Sequence, residues 1–152
     1  MAQYIDGFVV PVPKKNLADY RKMARLAGKI CRELGALAYV EAVADDVKPG
    51  KLTSFPQSVK LKPGETVVFS YIVYKSRRER DKISAKFMSD PRMKKYMDPK
   101  TLPFDGKRMF WGGFKTIVSL ERGIHMPAFN RQRLVFGLYL LVLIAAAELI
   151  AG

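Results

Sequence analysis

The sequence predicts an α+β fold in which one four-stranded antiparallel sheet carries two helices on one face, followed by an apolar C-terminal helix. Three observations carry this reading. Apolar residues follow a strand, helix, strand order twice along the chain, with the period changing between two and about 3.6 residues. The punctuation between these segments is Pro, Gly, Asn and Asp, which are the residues that stop strands and cap helices. A run of 14 apolar residues, 134–147, then stands apart from the alternating part.

The first strand is expected over residues 4–12, rich in Ile, Val and Phe, with pairing fading at Pro11 and Pro13 because neither has an amide donor. A helix follows. Asn16 is placed as its N-cap, and Asp19 suits the positive end of the helix dipole. Leu17, Tyr20, Ala24, Ala27, Cys31 and Leu34 fall at three- and four-residue steps on one face, and Gly35 supplies a left-handed stop. Residues 36–44 read as the second strand. Residues 45–65 hold three prolines and two glycines and form a long connection, with a short strand expected near 58–61.

Residues 66–74 are β-branched and aromatic almost throughout and predict a central strand. Ser76 with Glu79 forms a capping box that opens the second helix, which runs to about Met88 with Ile83 and Phe87 turned inward. Residues 92–104 are a basic connection. The last strand is expected over 106–118, with Trp111 and the Gly112–Gly113 pair inside it. This order is the split βαβ, or ferredoxin-like, arrangement. It leaves one sheet face bare, and the row Val67, Phe69, Tyr71, Val73 with the Trp111 strand makes that face apolar. A second copy of the chain is the expected cover, in an isologous homodimer.

Length and composition bound the rest. With 152 residues the chain suits one domain plus an appendage: a domain over 1–118, a linker over 119–133 and an apolar helix over 134–152. At 49% hydrophobic and 27% charged it is not a disordered or collagen-like chain. Its opening residues lack a basic region followed by a long apolar core, so a cytoplasmic domain is expected. The net charge of +13 raises nucleic acid and membrane headgroups as partners.

The stretches Ile5-Asp6-Gly7-Phe8-Val9-Val10-Pro11-Val12-Pro13-Lys14-Lys15-Asn16, Ala44-Asp45-Asp46-Val47-Lys48-Pro49-Gly50-Lys51 with Thr53-Ser54-Phe55-Pro56, and Pro103-Phe104-Asp105-Gly106-Lys107-Arg108-Met109-Phe110-Trp111-Gly112-Gly113-Phe114-Lys115 resemble the YbaA-like bacterial family of unknown function. Three separated motifs in one order, spanning about residues 4–118, make the likeness specific. It implies a ferredoxin-like fold of the dimeric α/β-barrel superfamily, in which two sheets pair across a barrel-like interface. It implies no reaction.

Analogy with that superfamily suggests a cofactor-free oxygenase, which needs an apolar cavity with a few polar groups able to bind and ionise a substrate. Asp6, Asp105, Arg108 and Trp111 are the ligand-pocket candidates. Beside that stands a plainer reading, in which Asp105-Gly106 makes a turn and Trp111 packs in the core or the dimer contact. Cys31 on the apolar helix face reads as a small core residue. His125 has no second ligand near it, so no metal is expected. No Gly-Lys-Ser/Thr occurs, and no cofactor is expected.

Sheet-face RNA readout needs a Lys/Arg-Gly-aromatic motif on the third strand, and Val67 to Tyr74 has the aromatics without the glycines or the base. Residues 14–33 carry seven basic and two acidic side chains, and residues 75–100 carry ten and four. The positive charge therefore lies with the helices and their flanks, away from the bare face. Specific nucleic-acid binding is not expected, while salt-sensitive phosphate attraction remains an alternative. The main expectation is a dimer that binds a small apolar or amphipathic molecule.

For the tail, 14 residues rise about 21 Å and 18 about 27 Å, against about 30 Å of bilayer hydrocarbon. Arg131 and Arg133 precede the run and Glu148 interrupts it near its end. A helix over 134–150 anchoring the protein to the cytoplasmic membrane is the expectation, with packing on the domain or its dimer mate, or an unselected extension, as the alternatives.

Overall fold

The computed structural model describes residues 2–120. Strands β1 (Tyr4–Pro13), β2 (Ala38–Val43), β3 (Glu65–Tyr74) and β4 (Phe110–Lys115) form one sheet in the order β2-β3-β1-β4, with every neighbouring pair antiparallel. Helix α1 (Leu17–Glu33) and, after the single turn α2 (Phe55–Ser58), helix α3 (Arg77–Ser89) complete the expected split βαβ order. The predicted tail helix over 134–150 lies outside the described residues. Among the described residues no helix is long and apolar enough to cross a membrane.

Alternation along β1 assigns the two faces. Phe8, Val10 and Val12 turn toward α1 and pack with Tyr20, Ala24 and Val68. Farther along the same face, Ile72 and Tyr74 meet Cys31 and Ile83, which joins both helices to one side of the sheet. Such apolar side chains each contribute about 1.5–3 kcal/mol when fully buried. Gly35 has φ of +112° and ends α1 as expected.

Pairing does not fade at the prolines. Pro11 and Pro13 pair with Val67 and Glu65. The Lys14 amide donates to Gly64 O at 2.9 Å, so even-numbered amides of β1 face β3 and odd-numbered ones face the other way. β4 reaches only as far as Val9, so the donors missing at Pro11 and Pro13 fall where β1 has no second neighbour.

Several boundaries differ from the sequence expectation. Asn16 occupies the N-cap position of α1 as expected but makes no side-chain cap hydrogen bond; its amide donates to Pro103 O at 2.9 Å, and a 3-10 turn over Lys14–Asn16 leads into the helix. β2 is shorter at its start because the Ala36 amide is taken by Cys31 O at the end of α1. β4 covers Phe110–Lys115 rather than 106–118, since Asp105–Arg108 closes a turn through Arg108 N–H to Asp105 O. The Ser76 hydroxyl caps α3 by accepting from the Glu79 amide at 3.2 Å, while the Glu79 carboxylate turns to Lys82.

The second face of the sheet is only partly bare. The strand expected near 58–61 is absent: Pro56 suits a first helical turn, and Ser54 caps α2 there. The chain after α2 drops Val59 and Leu61 onto Val9 and Val67, so its own connection covers one end of that face. Elsewhere Phe69, Phe110 and Phe114 stay exposed, at 43%, 45% and 61%. Trp111 is exposed as well, at 57%, but on the other face. By register it lies opposite Phe8, on the helix side, because the residues of β4 that share the open face are its neighbours.

Candidate functional site

A concavity of about 440 Å³ lies between α1 and the edge strand β2. Its walls follow from two periodicities. On α1, Arg21, Arg25, Lys29 and Arg32 recur at helical spacing and form a cationic wall, with Leu17 and Ala24 below them. On β2, Tyr39, Glu41 and Val43 share the face turned toward α1, and Val68 of β3 completes the floor.

Glu41 is the polar centre of this groove. Its two carboxylate oxygens accept one hydroxyl each, from Tyr20 at 2.8 Å and from Tyr39 at 2.7 Å. Burial, followed by the charge of Glu41, pushes both phenols well above their ordinary value, so both stay protonated donors. Tyr39 reaches this position because Gly28 has no side chain: a Cβ there would stand 2.7 Å from the Tyr39 ring. The cations have different commitments. Arg32 donates to the Ala36 carbonyl at 2.5 Å and also to the Leu37 carbonyl, and Lys29 reaches Glu33 only at 4.0 Å. Among the described residues, Arg21 and Arg25 have no carboxylate within 4.0 Å.

The four residues predicted from sequence divide between two other places. Asp6 is 4% exposed and accepts from Arg80 Nε at 3.1 Å. The Arg80 guanidinium lies over the Tyr4 ring at 5.3 Å and the Trp111 ring at 6.0 Å, and Trp111 also stacks on Phe8. Burial raises the Asp6 carboxyl above its usual value, with Arg80 opposing that shift. Gly113 makes room for the cluster, since a Cβ there would fall 2.4 Å from the Tyr4 hydroxyl and 2.8 Å from Arg80.

Asp105 and Arg108 belong to the opposite end of the sheet. Arg108 donates to Glu65 at 2.5 and 2.8 Å, to Asp105 at 2.9 Å and to the Lys60 carbonyl at 3.1 Å. Hydrogen bonds from Arg108 hold both carboxyls below their ordinary values. Glu65 pairs with Pro13, seven residues along β1 from Asp6, or about 23 Å at 3.3 Å per residue. The structure therefore brings Asp6 together with Trp111, and Asp105 with Arg108, but does not join the two groups.

Glu41, Tyr20 and Tyr39 were missed from sequence. The available signal was a single acid inside the apolar strand Ala-Tyr-Val-Glu-Ala-Val, with a tyrosine two residues before it on the same face. Its second partner, Tyr20, reads from periodicity only as a core residue. Cys31 is buried, and burial pushes its thiol up to about 11, which keeps it unreactive. Among the described residues no group of three His, Cys, Asp or Glu side chains is placed to hold a metal ion.

A family described as a protein of unknown function (DUF1428) matches residues 3–106. The chain belongs to this family. The DUF1428 match includes Asp6, Glu41 and Arg80 and ends before Arg108 and Trp111. Over 116 residues the chain is 49% identical to the uncharacterized protein YbaA of Escherichia coli (strain K12), covering 76% of this chain and 97% of that protein. The same identity and coverage hold for YbaA of Shigella flexneri. A crystal structure of a dimeric ferredoxin-like protein from an uncultured marine organism matches 80% of this chain and 94% of its own, with a TM-score of 0.55 at 9% identity. That likeness bears on the DUF1428 fold, which is ferredoxin-like.

Proposed function

We propose that this DUF1428 chain is a homodimeric binding module whose α1–β2 groove takes a small amphipathic anion. The groove is the observation that carries the reading. Its floor is apolar, and on its wall Arg21 and Arg25 have no carboxylate partner among the described residues. Apolar burial with a few fixed charges is the usual make-up of a small-molecule site. Asp6, Asp105, Arg108 and Trp111 have no part in the reading, because both groups they form close on their own arginines.

The dimer is supported by the open face, where Phe69, Phe110 and Phe114 form an apolar surface beside the exposed Phe55. The marine protein that shares the fold is described as dimeric. Sedimentation of the full chain at tens of micromolar should give a dimer, and Phe69→Lys with Phe114→Lys should give a monomer. A monomeric wild type refutes the contact.

For the groove, calorimetric titration of the full chain with 4-methylcinnamate, an apolar ring bearing one carboxylate, should show saturable binding. Arg21→Gln with Arg25→Gln should abolish it, while leaving the melting temperature near that of the wild type. Absence of binding of both this probe and its 4-hydroxy analogue at millimolar concentration defeats the reading.

The division at residue 118 and a membrane-anchoring helix over 134–150 belong to this proposal on the hydropathy of the sequence alone. Full-length protein should stay with membranes through a carbonate wash, and a chain ending at Val118 should not. Release of both removes the anchor.

A further inference from the structure

We infer that the ligand of the α1–β2 groove is dipolar in its hydrogen bonding, with a carboxylate or similar anionic group at one end and a neutral hydroxyl-type donor at the other. The inference rests on the groove being the binding site and specifies which amphipathic anions it selects.

The argument starts from Glu41. An ionised carboxylate has roughly four acceptor positions on its two oxygens. Tyr20 and Tyr39 occupy one on each oxygen, which leaves further acceptor capacity on both. The tyrosines are fixed donors and face Glu41 from two elements, α1 and β2. The carboxylate is thus held in one orientation. A buried polar group that a ligand covers without a hydrogen bond is costly, so a ligand seated over Glu41 must bring a donor.

The cationic wall does not satisfy this need. Among the described residues none of Arg21, Arg25, Lys29 or Arg32 comes within 4.0 Å of Glu41, although all of them line the same groove. Ordinarily an acid among four cations would be paired with one of them. Here the acceptor is held by two neutral phenols, and the cations stand apart. Two separated subsites of opposite character result: one attracts an anionic group and the other accepts a hydrogen bond. A simple apolar acid satisfies the first and leaves Glu41 uncovered or desolvated. A molecule with a hydroxyl beyond its apolar body satisfies both.

Glu41 is a specificity-determining residue in this account. A site built to hydrogen-bond a hydroxyl discriminates strongly against the analogue lacking it, because the unpaired group in the site carries the penalty.

The test compares two nearly isosteric probes, 4-hydroxycinnamate and 4-methylcinnamate, by calorimetric titration of the full chain. Wild type should bind the hydroxylated acid about tenfold more tightly or better, and Glu41→Gln, which keeps shape but removes the charged acceptor, should reduce the preference to about twofold or less. Glu41→Asp serves as a second variant should Glu41→Gln fail to fold; it draws the carboxylate back by one methylene and should likewise reduce the preference. Equal affinity of wild type for the two probes overturns the inference and leaves the groove standing as a site for amphipathic anions. A preference that survives in Glu41→Gln overturns it as well, by placing the hydroxyl contact elsewhere. Binding of neither probe removes the groove itself, and the inference with it.

Discussion

The Asp6–Arg80 pair and the Glu65–Arg108–Asp105 cluster are both carboxylate–guanidinium contacts, set about 23 Å apart along β1, and their acids shift in opposite directions. Asp6 is raised, because burial outweighs the single hydrogen-bonded arginine that reaches it. Glu65 and Asp105 are lowered, because the hydrogen bonds that Arg108 donates to each outweigh their desolvation. The comparison teaches that an ion pair's geometry does not by itself say whether the charge is favourable in the fold. Desolvation decides at one end and hydrogen bonding at the other.

The largest expected effect breaks the buried end. Asp6→Ala leaves the mostly buried Arg80 guanidinium with only the exposed Asp81, at 3.0 Å, as a carboxylate partner and should cost about 3 kcal/mol in urea unfolding. Replacing both partners at once, Asp6→Leu with Arg80→Met, should cost less than Asp6→Ala alone. A double variant as unstable as the sum of its parts contradicts the account of Asp6 as a desolvated charge.

Gly113→Ala addresses the same end through packing. The new methyl group meets Tyr4 and Arg80 and should destabilise by about 1–3 kcal/mol. The matching change beside the other cluster, Gly106→Ala, meets only Leu102 at 3.5 Å and should stay within about 0.5 kcal/mol of wild type. Equal melting temperatures for the two variants remove the claim that Gly113 exists to admit the Arg80 cluster.

The pH dependence sharpens the comparison with the smallest effect. Glu65 and Asp105 have lowered folded values, so their contribution is present above the ordinary values of 4.5 and 3.8 and is lost as pH falls through the folded ones. Asp6 is raised, so its contribution is greatest below 3.8 and declines as pH rises through its folded value. Urea melts between about pH 2.5 and pH 7 should therefore show Glu65→Gln approaching wild type on acidification. Relative to wild type, Asp6→Asn should gain as pH rises. Parallel pH profiles for the two variants refute the opposite signs.

Much of the fold was legible because it depends on local periodicity. The Tyr20, Ala24, Ala27, Cys31 row declares which side of α1 faces the sheet, and the Ser76 cap and Gly35 stop are read from residue type. The Val67, Phe69, Tyr71, Val73 row shares the open face as the period of two requires. What failed to show was anything that depends on a partner distant in sequence. Asn16 has the chemistry of a cap but bonds Pro103, 87 residues away. Arg80, one of the ten basic side chains counted in residues 75–100, enters the protein to meet Asp6, 74 residues away.

The sequence by itself determined the order of elements, the two faces of the sheet and the concentration of positive charge on the helical side, since each follows from spacing along a single strand or helix. Only the tertiary structure decided how that charge is used. Strand register places Trp111 beside Phe8, and the close approach of α1 to β2 over Gly28 carries Tyr39 to Glu41. The physical reason is range. Periodicity acts over one turn or one pleat, whereas a site is assembled by side chains whose meeting is fixed only when the sheet and helices close on one another.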